Sequence, residues 1–146
     1  MLKAQHISML EFCRTGRFGT LDAGASQDDM IEYLGEPTAW DGGQHKAFCH
    51  YGDVQIFFNE RSLYLIHIDW FSGTNNTPVL NRPHQLEPWV LNANAQINEI
   101  IHALGQEKLE FKQEVQAESI VLKLVSGVKI GFNQKTQILD AITMLH

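Results

Sequence analysis

The chain has 146 residues and a net charge of −6, with 44% hydrophobic and 19% charged residues, the size and balance of one ordinary globular domain rather than of a disordered chain. No apolar run of about 18 residues exists to cross a membrane as a helix, and Met1 to His6 lead into no apolar stretch with a small-residue cleavage site, so a cytoplasmic protein is expected. Cys13 and Cys49 are the only cysteines, and neither has a Cys-x-x-Cys neighbour, which argues against a disulfide framework or a thiolate zinc site.

Leu2, Met9, Leu10 and Cys13 fall on one helical face and the pattern stops at Thr15-Gly16, which predicts a short opening helix. A second helix is expected from Ser26. That serine is placed to cap it, Asp28 and Asp29 favour its positive end, Met30, Ile31 and Leu34 form its buried stripe, and Gly35 with Pro37 ends it. Three strands follow. Lys46 to Tyr51 and Val54 to Asn59 flank a tight Gly52-Asp53 turn, and Leu63 to Trp70 forms the third. Tyr64, Ile66, Ile68 and Trp70 share one face of that strand by its period of two, so Trp70 is expected to extend the core.

From Ser72 to Asn92, Gly73, Pro78, Pro83, Pro88 and several asparagines resist regular structure, and a connection this long is usually draped over the surface or functional. Ile97, Ile100, Ile101 and Leu104 then fit an amphipathic helix stopped by Gly105. Strands are expected near Leu109 to Gln116, Glu118 to Val125, Val128 to Asn133 and Gln137 to Met144. If Ser126-Gly127 were a two-residue turn, Lys123 would face Ile130 on the apolar side, so a bulge or a longer loop is required there.

The two halves share a phrase. Tyr51-Gly52-Asp53-Val54-Gln55-Ile56-Phe57-Phe58-Asn59 is echoed by Val125-Ser126-Gly127-Val128-Lys129-Ile130-Gly131-Phe132-Asn133, and each follows a short helix pattern ending in Leu-Gly, at Leu34-Gly35 and Leu104-Gly105. The expected fold is therefore α+β: two tandem repeats of short helices followed by an antiparallel β-meander, residues 1–71 and 94–146, joined by the connection 72–93. Either half alone is near the lower size limit for a stable core, so both are expected to share one core in a single domain, 1–146.

The side chains that carry chemistry are scattered. His45, His50 and His67, with Asp69, lie in or beside neighbouring strands, but no His-x-His or His-x-x-x-His spacing marks a metal site. Cys49 and His50 are consecutive strand residues and point to opposite faces, which disfavours a nucleophile–base pair. No Gly-x-Ser-x-Gly elbow occurs, Gly16-Arg17-Phe18-Gly19 lacks the strand and glycines of a dinucleotide loop, and Gly42-Gly43 lacks the Lys-Ser/Thr of a phosphate cradle. No enzyme, metal or cofactor is expected. Aromatics at the ends of elements are better candidates for binding, because Trp and Tyr supply large, stiff contact area; Trp40, Asp41, Trp70, Phe71 and Trp89 are the candidate binding residues. Residues 1–73 carry five Lys and Arg against ten Asp and Glu, while residues 74–146 carry six against seven. That acidic first half disfavours nucleic acid and suits a basic protein partner.

The phrases Gly24-Ala25-Ser26 and Leu34-Gly35-Glu36-Pro37, together with the duplication, resemble the β-lactamase-inhibitor-protein-like fold. In that architecture two tandem helix-loop-helix units each pack on a four-stranded antiparallel sheet. Phe12-Cys13-Arg14-Thr15-Gly16-Arg17-Phe18-Gly19 and Tyr51-Gly52-Asp53 are similar to a set of small bacterial proteins, some of which look like immunity proteins against polymorphic toxins. The resemblance implies a binding scaffold whose sheet presents side chains to a partner. A non-enzymatic protein-binding module, possibly of the immunity type, is thus the expected function. The alternative is a small-molecule binder with its pocket between helices and sheet near His50, His67 and Trp70.

Overall fold

The computed structural model describes residues 2–42 and 46–145, so His45 and Gly43 lie outside the described residues. It is an α+β protein with three α-helices among the described residues, α1 (Met9–Thr15), α2 (Gln27–Leu34) and α3 (Ile97–Gln106). In chain order its strands are β1 (His6–Ser8), β2 (Ala39–Gly42), β3 (Lys46–Tyr51), β4 (Val54–Asn59), β5 (Ser62–Ile68), β6 (Gln85–Glu87), β7 (Phe111–Gln116), β8 (Ser119–Leu124), β9 (Val128–Asn133) and β10 (Leu139–Leu145). Eight strands form one antiparallel sheet in the order β2-β3-β4-β5-β10-β9-β8-β7, and β1 pairs with β6 in a separate parallel ribbon. No helix among the described residues is long and apolar enough to cross a membrane.

The strand order reads as two four-stranded meanders that meet at their last strands, β5 against β10, with Ile68 opposite Ile142 and Ile66 opposite Met144. The two strands of the echoed phrase, β4 and β9, are each the third in their meander. Val54, Ile56 and Phe58 on β4 and Val128, Ile130 and Phe132 on β9 are all 0–1% exposed. Burying such side chains stabilises the fold by roughly 1.5–3 kcal/mol each. All three helices pack on this same face: Phe12, Met30, Leu34, Ile97, Ile100 and Leu104 join the strand residues in one apolar cluster drawn from both halves.

Local chemistry explains the helix ends. Ser26 and Asp29 form the expected capping box, the serine hydroxyl accepting from the Asp29 N–H at 3.0 Å and the Asp29 carboxylate accepting from the Ser26 N–H at 3.1 Å. The opening helix is shorter than its apolar periodicity predicts. Ser8 caps it by accepting from the Glu11 N–H, residues 6–8 are a strand, and Leu2 lies outside at 41% exposure. At the third helix Gly105 does not stop the chain. The helix continues through Gln106, and Lys108 takes the positive φ of 57° instead.

Two turns at matching places in the meanders tie down segments from elsewhere. Gly52 opens the β3–β4 hairpin with φ 61°, the first-position glycine of a type II′ turn, and a Cβ there would stand 2.5 Å from the Val79 carbonyl oxygen. Asp53, only 8% exposed, accepts hydrogen bonds from the Ser72 N–H at 2.9 Å, the Ser72 hydroxyl at 2.8 Å and the Val79 N–H at 3.0 Å. The long connection is thereby pinned rather than loosely draped. His84 pins it again, 4% exposed, with Nδ1 accepting from the Gln5 N–H at 3.0 Å and Nε2 at 2.7 Å from the Leu34 carbonyl. In the second meander the β8–β9 loop holds α1: the Ser126 hydroxyl donates to the Cys13 carbonyl at 2.7 Å, and Gly16, at φ 76°, lets the helix end approach the Ser126 carbonyl oxygen.

That loop also resolves the lysine problem. Val125, Ser126 and Gly127 form a three-residue connection, so Leu122 faces Ile130 and Lys123 faces Lys129. One added residue reverses the sidedness of the strand and sends the charge away from the core.

The helix-free face of the sheet as candidate functional site

With all three helices on one side, the other side of the sheet is left to the alternate side chains of every strand. The register sets them in rows. One row runs across all eight strands as Lys112, Lys123, Lys129, Thr143, His67, Gln55, His50 and Ala39, each directly opposite the next. A parallel row, Leu145, Leu65, Phe57, Phe48 and Asp41, is apolar through its middle.

In the first meander this face is aromatic. Phe48 and Phe57 stack at 5.0 Å between ring centroids, His50 meets the Phe48 ring edge to face at 5.5 Å, and Tyr64 meets Phe57 edge to face at 6.5 Å. Tyr64 reaches that position because β5 carries a bulge between its pairings of Leu63 with Phe58 and Leu65 with Phe57. All four rings and Leu65 are half-buried, and none belongs to the core cluster. At the seam between the meanders His67 Nδ1 lies 2.8 Å from the Thr143 hydroxyl and its Nε2 3.4 Å from Asp69.

The second meander presents charge and small side chains here. Lys123 contacts Glu114 at 2.7 Å. That hydrogen bond, helped by the charges of Lys123 and Lys129, holds the Glu114 carboxyl below its usual range. Gly131 faces both Val121 and Ala141, leaving a low stretch beside Lys129.

The candidate binding residues named from sequence are distributed differently. Trp40 and Asp41 sit on the edge strand β2, not in a loop, and Trp40 leans on Phe58 at 6.3 Å while 41% exposed. Both line an open hollow of about 470 Å³ with Ser26, Asp28 and Arg61. Trp70 does not extend the core; it is 68% exposed, because β5 ends at Ile68 and leaves the indole without an opposing strand. Phe71 and Trp89 are half-buried against the core cluster. Among the described residues no ring contact or cavity joins Trp40, Trp70 and Trp89 into one surface. Phe48, Phe57 and Leu65 were readable as alternate positions of strands whose other face was assigned to the core, whereas Tyr64 was expected on the face of Ile66 and Ile68 and leaves it because of the bulge in β5.

His50 and His67 lie on the helix-free side, so they line no pocket between helices and sheet as the small-molecule reading requires. Among the described residues no three His, Cys, Asp or Glu side chains converge as a metal site would need. The thiols of Cys13 and Cys49 face the core on separate elements, and burial pushes both up to about 12, far from a reactive thiolate. No protein-family model matches the chain, and no curated protein and no solved structure matches it.

Proposed function

We propose that the chain is a non-enzymatic protein-binding module of the immunity type that docks its partner on the helix-free face of the sheet. In this proposal the scaffold is two tandem helix-plus-meander copies that join their sheets edge to edge and turn one continuous face outward. One observation carries it. Phe48, Phe57, Tyr64 and Leu65 form a half-buried apolar cluster on a sheet face that no described helix covers, and exposed apolar patches on a folded chain mark interaction surfaces.

The test is a photo-crosslinking amino acid at Leu65, compared with the same group at Glu32 on the helix side, in cells that naturally make the protein. A discrete protein adduct from Leu65 and none from Glu32 is the expected result. Adducts from Glu32 alone, or none from either position, would overturn the assignment.

A further inference from the structure

The sign of the partner's charge can be read from the same face, and this step rests on the docking reading above. Lys112, Lys123 and Lys129 stand directly opposite one another on β7, β8 and β9, and the row continues through Thr143 to His67. Like charges set directly across a ladder repel, so packing alone gives no reason for three in succession. Glu114, the one carboxylate within β7, β8 and β9, pairs with Lys123. Among the described residues no ion pair engages Lys112 or Lys129. A chain of net charge −6 thus concentrates unpaired positive charge on the surface that also holds its aromatic cluster.

We infer that the partner of this face is an acidic protein surface, whose carboxylates meet Lys129 and Lys112 while its apolar side chains rest on Phe57 and Leu65. Lys112 and Lys129 stand two strands apart, about 9.6 Å at the usual strand spacing, and carboxylates seven residues apart on one face of a helix are separated by about 10.5 Å, so a helix laid across the strands can meet both. This reverses the charge expected from the acidic first half, because of that half's ten acidic residues only Asp41 stands in the two rows of this face, with Asp69 held beside His67. Nucleic acid fits less well. Two unpaired lysines supply little counterion release against a chain of net negative charge, and the facing rings of Phe48 and Phe57 are already stacked on each other.

The experiment titrates the isotope-labelled full chain with poly-L-glutamate, poly-L-lysine and oligothymidylate of similar length, reading the amide resonances of Gly131, Thr143 and His67. Poly-L-glutamate is expected to move these resonances, more weakly at high salt. Lys129→Gln should weaken its binding about two- to fivefold, and Lys135→Gln, on the exposed β9–β10 loop, should leave it unchanged. Movement with poly-L-lysine, tighter binding of oligothymidylate, or equal losses in the two variants would overturn the inference. A protein adduct at Leu65 with no response to poly-L-glutamate sinks the acidic partner and leaves the docking face standing. A response to poly-L-glutamate with no adduct at Leu65 sinks the docking face itself.

Discussion

The two meanders agree on one side and part on the other. Toward the helices, β4 and β9 bury the same three residue types, Val, Ile and Phe, in the same order; toward solvent, Gln55 and Phe57 of β4 face His50 and Phe48, while their counterparts on β9, Lys129 and Gly131, face Lys123 and Val121. A core position is constrained by volume and by its neighbours, so a matching frame brings matching residues. The outward position is constrained only by what meets it from outside. The contrast within one sheet separates what holds the protein together from what distinguishes its surfaces.

The sharpest way to break this comparison is to cut the core equally on both sides. Phe58→Ala and Phe132→Ala should each cost about 3–5 kcal/mol in chemical denaturation, and a large difference between them would mean that the two meanders do not share the load. The anchoring turns come next. Asp53→Ala strands the buried Ser72 and Val79 N–H groups and should cost about 1–3 kcal/mol, whereas Ser126→Ala, which loses a neutral hydroxyl bond to the Cys13 carbonyl, should cost about 1 kcal/mol. The same denaturation curves rank the two. Smallest, and opposite in sign, are the outward substitutions: Phe57→Ala should destabilise by about 0.5–1.5 kcal/mol through the lost ring contacts, while Lys129→Gln should stabilise by about 0.2–1 kcal/mol by relieving repulsion from Lys123. A Lys129→Gln variant less stable than the parent would remove the argument that this lysine is kept for contact.

Much of this architecture was legible because it rests on short-range rules. The capping box at Ser26, the turn at Gly52-Asp53 and the alternating Val-Ile-Phe strands all stand where those rules put them. What failed depended on distant partners. Ala39 to Gly42 falls in none of the expected strands, yet pairing with β3 makes it one. His6 to Ser8 and Gln85 to Glu87 are three-residue strands that exist only through each other. The lysine row was hidden for the same reason: positions 112, 123 and 129 have no regular spacing, and only the hairpin registers line them up. The two-residue turn at Ala117-Glu118 gives the first pairing, and the three-residue loop at Val125 gives the second.

The junction between β5 and β10 has a consequence for how the molecule is made. Strand 139–145 follows the other seven strands of the sheet in chain order, yet it fills the middle of that sheet. Until it arrives, the open edge of Leu65, Ile66, His67 and Ile68 has no backbone to pair with, and the later meander has no seat. Newly synthesised chains therefore spend a vulnerable interval as two unfinished sheets, when a chaperone is most useful and edge-to-edge exchange between molecules is the characteristic error.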